Sequence, residues 1–230
     1  MKLAYPLFSS PICFREDLVQ VLVIEHGATF RKVVTELVQQ SEGNEGSFVL
    51  SRNNACLDPS EHLQVILDFV HPQLLEKRLQ TKAIAALIHA TRESLAGETF
   101  HLTQVIQAYL EKLATLAGFP VAFEQSESLS TLLKAMDFCV DLSDLSLCEA
   151  LYERMALIDT LSKDQCFVLV NAKAYFLSEE LQKLYDMLRY RKLNVLFVEP
   201  RAGSVLPGED IRLFDEDLCE LTLDSEDKIR

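Results

Sequence analysis

Two short apolar runs with an amphipathic stretch between them stand out along the second half of the chain. Phe167-Val168-Leu169-Val170 is continuous, bulky or β-branched, and stops at Asn171. Val195-Leu196-Phe197-Val198 is of the same kind and stops at Glu199-Pro200-Arg201. Between them Leu181, Leu184 and Leu188 recur at helical spacing behind Leu177-Ser178-Glu179-Glu180, with Ser178 as the predicted N-cap. Unbroken apolar strands around a helix predict a βαβ unit in a parallel sheet buried on both faces. Functional residues gather at the carboxyl ends of such strands, which here carry Asn171, Lys173, Glu199 and Arg201. The main domain is therefore expected to be α/β.

The first part of the chain fits the same class. Lys2 to Phe8 and Ile12 to Phe14 read as short edge strands. Val19 to Glu25 is a strong strand that leads through His26-Gly27-Ala28-Thr29 into a helix from about Phe30 to Gln40. Phe48 to Leu50 and Leu63 to Leu67 are further strands. From Gln73 to about Leu116 the sequence turns rich in Ala, Leu, Gln and Glu at helical spacing, which predicts two long helices broken near Gly97. Gly118-Phe119-Pro120 stops them, and a shorter helix follows from about Ser128 to Ala135. Phe138-Cys139-Val140 reads as a strand, Ser146 to Leu161 as a helix, and Ile211 to Phe214 and Leu218 to Leu223 as late strands. A helical insertion thus separates two α/β halves.

Composition narrows the class. The 230 residues are 49% hydrophobic and 25% charged, ordinary for a soluble globular protein with a substantial core. No apolar run approaches the roughly 20 residues of a membrane span, and the first residues do not read as a signal peptide. Six cysteines are scattered without a CxxC pair, the pattern of a reduced, cytoplasmic protein. The net charge of −13 argues, taken whole, against nucleic-acid binding. Binding depends on distribution, however, and cations can gather on one wall while the acids lie elsewhere, many of them in the tail from Asp215 to Asp227.

Catalytic constellations are missing. A phosphate-binding loop needs GxxxxGK[ST], whereas Glu25 to Lys32 offers one glycine, a misplaced hydroxyl and an acid facing the would-be phosphates. Glu199 resembles the acid of an ATPase metal site, but without that loop. The five histidines do not cluster, and neither HExxH nor GxSxG occurs. Asp141-Leu142-Ser143-Asp144 reads as a helix-start loop or as part of a metal site. On the first long helix, at about 100° per residue, Arg78, Lys82, His89 and Arg92 fall within roughly 80°. Leu79, Ala83, Ala86 and Ala90 take a neighbouring face. Such a helix packs on one side and meets phosphates on the other, or presents an ordinary solvated face. Arg189-Tyr190-Arg191-Lys192 forms a second basic cluster, which also suits a helix C-terminus.

The segments LVNAKAYFLSEELQKL (Leu169 to Leu184), LNVLFVEPR (Leu193 to Arg201) and FDEDL (Phe214 to Leu218) together resemble the Csn-two family, the spacer-acquisition proteins of type II-A CRISPR systems. The resemblance implies a degenerate P-loop-like α/β head, here 1–70 and 138–230, with an inserted α-helical leg, 71–137. It implies a homotetrameric ring in the bacterial cytoplasm that holds linear double-stranded DNA in a basic channel, without nucleotide or catalysis. Partners would be the CRISPR integrase proteins and the effector nuclease. On that footing Arg78, Lys82, Arg92, Arg189, Arg191 and Lys192 are the expected phosphate contacts. Calcium is implied too. Glu124 and Glu127 are the acids that remain where other members are strongly acidic after the second long helix. The alternatives are a protein–protein scaffold whose acidic surface docks basic partners, and an NTPase.

Overall fold

Alternate residues of the strand Val19–Ile24 (β3) enter two different cores. Val19, Val21 and Val23 join one, Leu22 and Ile24 the other. The same split holds in Cys166–Val170 (β7) and Asn194–Glu199 (β8), where Phe167, Leu169, Val195 and Phe197 oppose Val168, Val170, Leu196 and Val198. Strands covered on both faces have no polar side to alternate with, which is why they read as near-continuous apolar runs, broken in β3 only by the buried Gln20. The computed structural model describes residues 1–123 and 129–223.

Contacts divide the chain into two units, Met1–Leu74 with Leu142–Arg230, and Leu75–Asp141. In the first unit, six strands form a sheet in the order β10-β9-β3-β8-β7-β6, with β6 at Leu63–Ile66, β9 at Glu209–Phe214 and β10 at Glu220–Leu223. Pairing is parallel throughout except for β10, which runs antiparallel to β9. The helices Leu147–Leu161 (α6) and Ser178–Arg191 (α7) cover one face. The helix Gly27–Ser41 (α1) covers the other, together with a small antiparallel sheet of Lys2–Ala4 (β1), Ile12–Cys13 (β2), Val49–Arg52 (β4) and Ala55–Leu57 (β5). The short helix Pro59–His62 (α2) leads into β6. The second unit is helical, with Lys77–Ser94 (α3), Ala96–Leu116 (α4) and Leu129–Ala135 (α5), and it enters the chain between β6 and β7. The fold is α/β, as the apolar runs predict.

Some local expectations need correction. Phe138-Cys139-Val140 is not a strand. Val140 instead has its N–H and C=O taken by the side-chain amide of Gln80, both at 2.9 Å, so one glutamine satisfies it as a neighbouring strand would. The hairpin of β4 and β5 turns on Asn53 and Asn54, both left-handed at φ 50° and 64°, a geometry asparagine tolerates. Leu177, not Ser178, is the N-cap of α7, and the Glu180 carboxylate accepts from the Leu177 N–H at 2.8 Å. α6 has a true capping box: Ser146 Oγ accepts from the Glu149 N–H, and Glu149 Oε2 accepts from the Ser146 N–H at 3.0 Å. Ser146→Ala is expected to cost about 1 kcal/mol in urea unfolding.

Candidate nucleic-acid interface

α3 turns its two isoleucines inward, while Leu87 stays exposed. Gln80, Ala83, Ile84, Ile88 and Thr91 are buried or half-buried, and the helix meets α4 and α5. The packing face expected from Leu79, Ala83, Ala86 and Ala90 is therefore displaced, and Ala86 and Ala90 are exposed. Two isoleucines remove more apolar area from water than two alanines, which fixes the rotation. Arg78, Lys82, His89 and Arg92 consequently lie about 150° from the packed face and are all exposed. Among the described residues none of these four forms an ion pair. The helix carries four Lys or Arg against one Glu. Residues 75–141 hold six cations against eight acids, so most of the −13 belongs to the other unit.

The second basic cluster is engaged with the protein itself. Arg189 pairs with Asp186 one turn back, and its guanidinium lies over Gly208, where an added Cβ would sit 2.7 Å from Nη1. Arg191 Nη2 donates to Ala156 O at 3.1 Å and to Thr160 Oγ1 at 2.6 Å, which ties α7 to the last two turns of α6. Lys192 closes α7 in the left-handed conformation at φ 58°, and its Nζ is 2.6 Å from Glu16. Tyr190 is exposed. Asp186, Thr160, Gly208 and Glu16 lie on other turns or other elements, so the sequence of the cluster alone could not reveal these ties.

At the carboxyl ends of the strands, the residues predicted to gather do meet. Asn171 takes φ 56° and opens a single 3₁₀ turn, Ala172–Ala174. The buried Glu199 accepts from the Lys173 N–H at 3.1 Å. Lys173 Nζ passes down the sheet face to Glu209 Oε1 at 2.6 Å, where the Tyr185 hydroxyl also donates at 2.7 Å. Burial and the Glu209 charge push the Tyr185 phenol well above its ordinary pKa, so it remains a donor. Arg201 is exposed and lines a small cavity with Lys173 and Glu199. Glu209 is not among the sequence candidates, because it opens its strand whereas functional residues are expected at strand carboxyl ends. At the βα turn, the ring of His26 caps α1 by accepting from the Thr29 N–H at 3.3 Å, one of the amides that a phosphate would need.

Glu124 and Glu127 lie outside the described residues, and so do Asp224, Glu226 and Asp227 of the acidic tail. Among the described residues no group of three or more His, Cys, Asp or Glu could hold a metal ion. α4 holds a feature beyond its predicted helicity: none of its residues is buried. Leu102, Val105, Ile106, Tyr109, Leu113 and Leu116 are all exposed and fall within about 100° of the helix circumference. Their spacing, mostly of three and four, was the available signal of an apolar stripe seeking a partner.

A family model described as CRISPR-associated protein (Cas_Csn2) matches residues 40–218. The CRISPR-associated protein Csn2 of Streptococcus agalactiae is 23% identical over 217 residues, covering 90% of this chain and 92% of that protein. The protein of the same name from Enterococcus faecalis is 20% identical over 207 residues, covering 87% and 90%. The crystal structure of Stu0660 of Streptococcus thermophilus shares the fold at a TM-score of 0.60 and 12% identity, covering 96% of this chain and 76% of that one.

Proposed function

The chain belongs to the Cas_Csn2 family of CRISPR-associated proteins, and from that premise we propose that it binds linear double-stranded DNA, as a homotetrameric ring, during acquisition of new spacers. The observation that carries the proposal is the cationic stripe of α3, turned away from the packed face and free of ion pairs among the described residues. Arg78, Lys82 and Arg92 are the principal phosphate contacts. Arg189, Arg191 and Lys192 contribute only if DNA competes for cations that already hold α6, α7 and Glu16. Contacts of this kind position a protein on a duplex without reading its bases. The exposed stripe of α4 supports self-association, since monomers seldom leave so continuous an apolar face in water. Calcium at Glu124 and Glu127 belongs to the same proposal, and no step in it is catalytic.

A gel-shift titration of linear against covalently closed duplex, with and without calcium, tests it. Linear DNA is expected to bind and closed DNA to fail, because threading a ring needs an end. Binding is expected to weaken steeply between 50 and 200 mM salt, in proportion to the phosphates neutralised. A flat salt response, or equal affinity for closed circles, would overturn the ring-and-phosphate account. The acid excess of the α/β unit supports a second function, a scaffold for basic partners such as the CRISPR integrase proteins or the effector nuclease. It predicts co-purification with those partners and no retention of either DNA.

A further inference from the structure

Two carboxyl groups are buried under the connection between β8 and β9, and one lysine serves them both. Glu199 is 4% exposed and Glu209 2%. Glu209 is well supplied: Lys173 Nζ and the Tyr185 hydroxyl reach Oε1 at 2.6 and 2.7 Å, and the Leu206 N–H donates to Oε2 at 3.1 Å. Glu199 receives the N–H groups of Lys173 and Ala172. With both acids ionised and Lys173 protonated, the buried trio carries one uncompensated negative charge. A low-dielectric interior resists such a charge strongly.

The groups facing Glu199 come from every side of this site. Lys173 stands on the 3₁₀ turn, Glu209 on β9 and Tyr185 on α7. Arg201 lines the same small cavity, with Val21, Val23, Ala202, Gly203 and Ile211. Glu25, from the β3–α1 turn, holds the Ala202 N–H at 3.3 Å and so ties that connection to β3. Arg201 is exposed, so its charge is largely screened by water.

We propose that Glu199 is a proton-operated latch: ionised, it clamps the amides of Ala172 and Lys173; protonated, it releases one of them and loosens the 3₁₀ turn and the 200–208 connection above it. The latch is independent of whether the protein binds DNA. Burial is the strongest influence on this carboxyl and the Glu209 charge adds to it; the two amides and Lys173 oppose them. The balance pushes it up from 4.5 to about 7. Because the folded-state value is raised, the contribution of Glu199 to stability is complete below about pH 4.5 and is lost as pH rises to about 7.

Three measurements on the full chain test the latch. Carbon-13 NMR of glutamate side chains is expected to show one carboxyl titrating near neutrality, absent in Glu199→Gln. Hydrogen exchange corrected for intrinsic rates is expected to show the amides of Ala172 and Lys173 losing protection as pH falls from 8 to 5. Glu199→Gln keeps an acceptor oxygen without the charge, so its Tm at pH 8 is expected to exceed that of the parent by several degrees and to match it near pH 5. Unchanged amide protection across that range would overturn the proposal even if the variant failed to fold. So would a Glu199 carboxyl that titrates below pH 5.

Discussion

Replacing Arg78, Lys82 and Arg92 together by Glu will abolish duplex binding by the folded protein. The three side chains are exposed on one face of α3 and form no ion pair among the described residues, so no partner is orphaned when they are lost. Exposed substitutions of this kind normally change stability by less than about 0.5 kcal/mol each. Each lost phosphate contact lowers the slope of log K against log salt by about 1, so three lost contacts lower it by about 3 per subunit on the duplex. Reversal adds repulsion to the loss, and affinity should fall on the order of 100-fold or more at 100 mM salt. Fluorescence anisotropy with a labelled linear duplex reads the affinity, and circular dichroism confirms the fold. Retained affinity with an unchanged salt slope would remove α3 from the interface. Reversing Arg189, Arg191 and Lys192 is the less informative experiment, because it also strips α6 and α7 of their terminal contacts.

Lys173→Met will cost about 3–5 kcal/mol of folding stability at pH 8, the range for breaking a buried ion pair on one side. The Glu209 side chain is 0% exposed and that of Lys173 only 17%, so solvent cannot replace the lost ammonium without opening the site. Methionine is one atom shorter but keeps the unbranched apolar stem of lysine, so packing changes little. For a domain of this size the loss corresponds to roughly 10 °C in Tm. Lys173→Met with Glu209→Gln should recover most of it, since no buried charge is left unpaired and the amide can accept from the Leu206 N–H through its oxygen while its nitrogen donates to the Tyr185 oxygen. Urea unfolding of both variants checks the pair. A single variant that loses less than about 1 kcal/mol would show that the pair with Lys173 contributes little to the fold.

The βαβ unit from Cys166 to Arg201 was legible because burial on both faces leaves an unbroken apolar run, and few other structures do. The long helices were legible from spacing alone. What spacing did not give was the rotation of α3, since alanines and isoleucines both count as apolar while packing distinguishes them by volume. The β4–β5 hairpin escaped because its strands are short and mostly exposed, leaving only Asn53-Asn54 as a signal. Val140 resembled a strand residue and is satisfied like one, by a side chain from α3. At the strand ends, Asn171, Lys173, Glu199 and Arg201 were singled out together because parallel sheets deliver their loops to one rim. Glu209, at the start of its strand, reaches the group only through the length of Lys173. The basic run at Arg189 looked available because a sequence displays charge and hides the neighbour that neutralises it.

The pairing of Leu63 with Cys166 places the whole helical unit between two adjacent strands of one sheet. On a ribosome, β6 therefore emerges long before the strand that will receive it. The helical unit makes mainly local contacts and can form in the interval, whereas the central sheet must wait for β7, β8 and β9. Until then β3 and β6 are apolar strands with open edges, the condition in which nascent chains associate wrongly. Slowing translation just after Leu161 would lengthen that exposure, and the yield of native protein should depend on codon choice there more than anywhere in the helices.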